Sequence, residues 1–169
     1  MSQAAYDSFF ATWEYEAKQT QKLLASLPAG QYDFRPDPGA RSLGELAWHL
    51  AEIEGYTGYG VENKKMDYSQ KYADLTRPKE ISALAPAYEK VHAEAVARAK
   101  KLSPQDFDVK IHFMGDLHLT IRDILWNTML HHIIHHRGQL SILNRLAKGV
   151  SPGMYGPNRE DMQALRAKG

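Results

Sequence analysis

Residues 131–140 read His-His-Ile-Ile-His-His-Arg-Gly-Gln-Leu, and this stretch decides both the fold class and where the chemistry is to be sought. It holds two histidine pairs at i,i+4 spacing, His131 with His135 and His132 with His136. Such a pair lies on one helix face with Cβ atoms roughly 5–6 Å apart, so both imidazoles can reach one ion. His132 and His136 are in helical phase with Leu125, Met129, Gln139 or Leu140, and Leu143, the more apolar stripe. His131 and His135 align with Ile124, Thr128, Gly138 and Ile142. The period favours the first pair as the inward one without settling the choice.

Working outward, Thr120-Ile121-Arg122-Asp123 resembles a capping box, and it predicts a long helix that ends near Lys148 and Gly149. Upstream, Val109, Ile111 and Phe113 alternate before Gly115, with Leu117 and Leu119 beyond, which predicts a short hairpin or an extended loop. Three more stretches carry the helical period. The first holds Tyr6, Phe9, Phe10, Trp13, Ala17, Thr20, Leu24 and Leu27 and stops at Pro28, Ala29 and Gly30. The second opens with the capping box Ser42-Leu43-Gly44-Glu45 and points Leu46, His49, Ile53 and Tyr56 inward. The third starts near Ser82, with Pro86 expected in its first turn, and carries Leu84, Tyr88, Val91, Ala95 and Leu102. A short polar helix is expected after Pro157. The pattern predicts an all-α fold, a four-helix bundle with long connections and a short hairpin before the last bundle helix, forming one domain over residues 1–169.

Apolar residues at 43% and charged residues at 24% are an ordinary globular balance, which excludes a disordered or fibrous chain. Lys plus Arg number 21 against 20 for Asp plus Glu, so no global field favours nucleic acid or an anionic membrane. With no cysteine, disulfides, thiolate metal sites and a cysteine nucleophile are excluded, and any metal must take N or O ligands. No basic start followed by an apolar run and no membrane-length apolar segment is present, so a soluble cytoplasmic protein is expected.

A histidine pair needs further ligands from another element, and His49 is the best candidate. Three neutral imidazoles leave a coordination position open, as in catalytic rather than structural sites. Zinc, nickel or ferrous iron suit such a donor set, and the Irving–Williams order favours zinc or nickel. Glu45 and Glu52, one turn either side of His49, are positioned to orient its second ring nitrogen, and Gln139 to bond a water or a substrate. His92, His112 and His118 lack matched spacing and are read as non-ligating.

At these residues the chain resembles the DinB superfamily of bacterial four-helix bundles. The resemblance rests on His132-Ile-Ile-His135-His136-Arg137-Gly138-Gln139-Leu140, on Leu46-Ala47-Trp48-His49-Leu50, and on Pro152-Gly153-Met154-Tyr155-Gly156-Pro157. It implies a metal triad of His49, His132 and His136. It also implies a class of chemistry, since similar proteins include thiol S-transferases and a thiol-dependent isomerase. An enzyme here would carry out transfer or isomerisation assisted by a small thiol, or metal-assisted hydrolysis of another small-molecule substrate, with Tyr56, Arg137 and Tyr155 as candidate contacts. The alternative is a non-catalytic metal-binding stress-response protein. Phe9, Phe10 and Trp13 offer more apolar surface than one packing stripe needs, and on that ground a homodimer is expected.

Overall fold

The computed structural model describes residues 1–168. Helices α1 (Gln3–Ala25), α2 (Leu43–Glu62) and α3 (Ile81–Ala99) are followed by a hairpin of β1 (Lys110–Met114) and β2 (Leu117–Thr120). The last bundle helix is composite: α4 (Ile121–Asp123), a π-helical segment (Ile124–Leu130) and α5 (His131–Leu146). A short α6 (Arg159–Arg166) follows. No described helix is long and apolar enough to cross a membrane.

Both expected caps form, in different ways. At α2 the Ser42 hydroxyl accepts from the Glu45 N–H at 3.3 Å and the Glu45 carboxylate accepts from the Ser42 N–H at 2.8 Å, closing the full box. At α4 the Thr120 hydroxyl accepts from the Asp123 N–H at 3.0 Å, but Asp123 takes the hydroxyl proton of Thr120 instead of its backbone N–H. Thr120 is the last residue of β2, opposite Lys110, so strand and helix meet at one residue. The α3 start corrects the sequence expectation: the helix begins at Ile81, which puts Pro86 in the second turn. There it removes the bond to the Ser82 carbonyl, a loss that solvent offsets because both residues are exposed.

α2 packs against α3 and α5, and α1 packs against the same two helices, so α1 and α2 are diagonal partners. Glu54 meets His92 and Glu62 meets Arg98, making α2 and α3 parallel. Glu16 meets Arg137 and Ser26 meets Asn144, making α1 and α5 parallel. Tyr6 bonds the Leu102 carbonyl while Glu14 reaches His92, so α1 runs against α3. The result is an up-down-down-up bundle, and the long connections follow from it, since parallel neighbours cannot be joined by a tight turn. α2 and α3 cross closely at Gly58, where an added Cβ would lie 2.9 Å from the Ala95 Cα. The connection after α2 is tied back by the Trp48 indole N–H, which donates to the Leu75 carbonyl at 3.1 Å.

Phe9 and Trp13 are fully buried, and Phe10 is 6% exposed. Phe9 packs its ring 5.9 Å from Phe107 and 5.2 Å from Trp126, so the hairpin approach and the π-helical segment complete an aromatic core around α1. These rings are therefore core, and the surface argument for a dimer loses its basis.

Next to this cluster a second buried feature carries charge. His92 bonds Glu54 through Nδ1 at 2.6 Å and Glu14 through Nε2 at 3.4 Å, while the Tyr88 hydroxyl donates to Glu54 at 2.5 Å. Burial opposes a charge on His92, but the Glu54 and Glu14 carboxylates outweigh it and raise its pKa above that of a free imidazole. Protonated His92 thus contributes stability that is complete below about pH 6.5 and is lost as pH rises through the raised pKa. Thermal unfolding should show Tm falling as pH rises from 6 into the alkaline range. In His92→Gln that slope should flatten, and an unchanged slope would mean His92 is neutral throughout.

Candidate metal centre

His49 sits two turns into α2, and His132 and His136 occupy the first two turns of α5, which runs antiparallel beside it. One ring nitrogen from each of the three lies within 4.8 Å of the others, and no fourth His, Cys, Asp or Glu joins the group among the described residues. The His132 and His136 Nε2 atoms are 2.8 Å apart. The His49 ring centroid is 5.7 Å from that of His132 and 4.9 Å from that of His136. The triad that the resemblance implied is brought together in space.

The second nitrogens decide what the cluster can do. His49 Nδ1 donates to the Glu52 carboxylate at 3.2 Å, and His136 Nδ1 donates to the Gln139 side-chain oxygen at 2.6 Å. His132 bonds the Thr128 backbone one turn earlier. An acceptor on each of these atoms fixes the proton there and leaves the other nitrogen as a bare lone pair. Two lone pairs facing each other at the His132–His136 separation repel unless a cation sits among them. The donor set therefore fits a divalent ion with nitrogen ligands, and the three residues could hold one. Burial, then the neighbouring histidines, lowers the pKa of both His132 and His136, which keeps them in the neutral form that ligates. Arg41 adds to this effect at His132.

The centre opens on a cavity of about 950 Å³ lined by His49, His132, Ile53, Tyr56 and the hairpin residues Phe113 and Met114. A second cavity of about 430 Å³, lined by Leu46, His136, Ile142 and Leu146, lies on its other side. Arg41 lines both.

Several sequence expectations change here. Glu52 holds His49 as expected, but Glu45 is spent on its cap and on Arg35, 3.2 Å away. Gln139 orients His136 and also bonds His135 at 3.1 Å. His131 and His135 are exposed and line the larger cavity beside the triad. Arg137 is 1% exposed and reaches neither cavity: it bonds the Glu16 carbonyl at 2.7 Å, the Glu16 carboxylate and the Tyr155 hydroxyl. Arg137 and Tyr155 are thus a strut between α5, α1 and the chain after α5, and of the three proposed substrate contacts only Tyr56 faces the cavity. Sequence reasoning missed Arg41, Asn127, Tyr68 and the hairpin tip. The position of Arg41 directly before the Ser42 cap of the His49 helix was the available signal.

Comparison with known proteins gives a consistent picture. A family model described as the DinB superfamily matches residues 12–140. An uncharacterized protein, YrdA, of Bacillus subtilis strain 168 is 30% identical over 157 residues, 92% of this chain and 90% of the other. The crystal structure of a DinB-like protein from Bacillus cereus ATCC 10987 matches with a TM-score of 0.71 at 27% identity, covering 88% of this chain and 97% of that one. A DinB-like protein of Bacillus subtilis (YjoA) shares the fold, with a TM-score of 0.71 at 18% identity over 90% of this chain and 99% of that one.

Proposed function

The chain belongs to the DinB superfamily, and from that premise we propose that it binds one divalent metal ion, zinc or nickel, at His49, His132 and His136 and is a metal-dependent enzyme acting on a small molecule. The observation that carries this reading is a three-histidine cluster without a fourth protein ligand among the described residues, opening directly on a large cavity. A closed structural site would fill its fourth position with protein and would need no such space. When bound, the ion supplies Lewis acidity, which lowers the pKa of a water or small thiol at its open position.

The chain's own residues do the rest. Glu52, the Thr128 carbonyl and Gln139 hold the three imidazoles in one tautomer and orientation. His131 and His135, exposed in the cavity wall, are placed to take or give a proton at a bound substrate. Tyr56, Tyr68 and Phe113 give the cavity an aromatic wall against which the apolar part of a substrate can pack. Because the chain has no cysteine, a thiol reaction here draws its sulfur nucleophile from a small cosubstrate. The reaction class is transfer or isomerisation assisted by that thiol, or hydrolysis.

The test offers electrophilic substrates with several low-molecular-weight thiols, and ester or amide substrates without them, to metal-loaded and chelated protein. Turnover should depend on the metal, falling by a factor of 100 or more on chelation, of the order one strong electrostatic interaction supplies. Equal rates with and without metal would remove the mechanism.

A further inference from the structure

We propose that Arg41 is the anion-recognising residue of this centre, so that the substrate carries a carboxylate beside the histidines and an apolar body along the hairpin wall. The inference rests on the reading of the larger cavity as a substrate site.

Arg41 ends the connection before α2 and is exposed, yet it lines the cavities on both sides of the histidines. The other arginines of this region are neutralised by one carboxylate: Glu45 lies 3.2 Å from Arg35 and 3.7 Å from Arg77. Arg41 forms no ion pair among the described residues. The one acidic residue lining either cavity is Glu52, and it is committed to His49. Arg41 is thus the one Lys or Arg lining either cavity, it has no carboxylate partner among the described residues, and a bound ion would add positive charge beside it. Much of the rest of the lining, with Ile53, Tyr56, Tyr68, Phe113 and Met114, is aromatic and apolar. A cavity of this size and mixed character takes a drug-sized molecule. Its chemical complement is an amphiphile with one anionic head. A guanidinium fork matches the planar carboxylate, with two parallel N–H donors for two oxygens.

The experiment uses two probes of one shape, 4-phenylbutyrate and its neutral amide, with binding measured by calorimetry. Zinc-loaded and chelated forms of the wild type, Arg41→Gln and Arg41→Lys are compared. The acid should bind wild type about tenfold tighter than the amide, the range of one charge-assisted bond. Arg41→Gln should lose about tenfold in acid affinity, leave amide binding within about twofold and still load zinc, while Arg41→Lys should recover part of the preference. In chelated protein the preference should shrink and remain dependent on Arg41. A preference that survives in zinc-loaded Arg41→Gln, or that vanishes from wild type on chelation, would assign charge selection to the ion and overturn the proposal. So would equal affinity for the two probes, or no binding of either. Wild type that loads no zinc would instead overturn the proposed metal centre, while the chelated arms would still decide the role of Arg41.

Discussion

Protein reloaded with zinc or nickel and desalted should carry one ion per chain, while His132→Ala and His136→Ala should carry none and His49→Ala should bind more weakly. The asymmetry follows from the geometry. His132 and His136 present two lone pairs 2.8 Å apart from one helix, whereas His49 joins them from across the bundle. Loss of a residue that merely orients a ligand costs roughly 10–100-fold in affinity, so loss of either member of the pair should exceed the upper end of that range. Burial holds both imidazoles below the ordinary histidine pKa, so protons compete less with the ion than they would at free histidines. Affinity should accordingly persist slightly below about pH 6.5 and fall only at lower pH, where protons displace the ion. Metal analysis of desalted samples at several pH values reads both effects. Full occupancy in His136→Ala would sink the assignment.

Arg137→Ala should be the most destabilising single change in the family segment, although the residue adjoins a candidate ligand. It leaves the Glu16 carboxylate buried without its cation, a loss of about 3–5 kcal/mol. Against a total stability of about 5–15 kcal/mol that is a large fraction, and it should lower Tm by on the order of 10 °C. The double variant Arg137→Met with Glu16→Leu should be less damaging than Arg137→Ala alone, because no unpaired charge remains. Thermal unfolding of the three proteins measures this. Unchanged stability with lost turnover would return Arg137 to the substrate site.

Local signals were legible in the sequence, and long-range ones were not. The Ser42–Glu45 box, the alternation around Gly115 and the i,i+4 histidines are patterns within a few residues, and each appears in the structure where expected. Leu125, Met129, Leu140 and Leu143 are buried as the stripe predicts, but the centre of the buried face runs through Ile133 and Arg137. His132 and His136 stand on its shoulder, which is why they face a cavity rather than the core. The burial of Arg137 depends on Glu16, 121 residues away, and nothing local announces it. Phe9, Phe10 and Trp13 looked surplus because the rings that enclose them, Phe107 and Trp126, belong to other elements. Ile124 and Ile142 share a stripe on paper, yet one is fully buried and the other 66% exposed. The wide turn between them alters the phase of the helix.

That wide turn also bears on how chain length can change in this fold. A turn closed by i→i+5 bonds contains one residue more than a turn closed by i→i+4 bonds, so the segment Ile124–Leu130 stores a surplus residue. Removing one residue there lets the backbone relax to ordinary α geometry with both ends still facing as before. The hairpin stays over the cavity, and the same two histidines stay opposite His49. An insertion has no such reserve and would turn every following side chain by about 100°. Loss of one residue within Ile124–Leu130 is thus absorbed where a gain is not, a bias in length variation that the helix itself imposes.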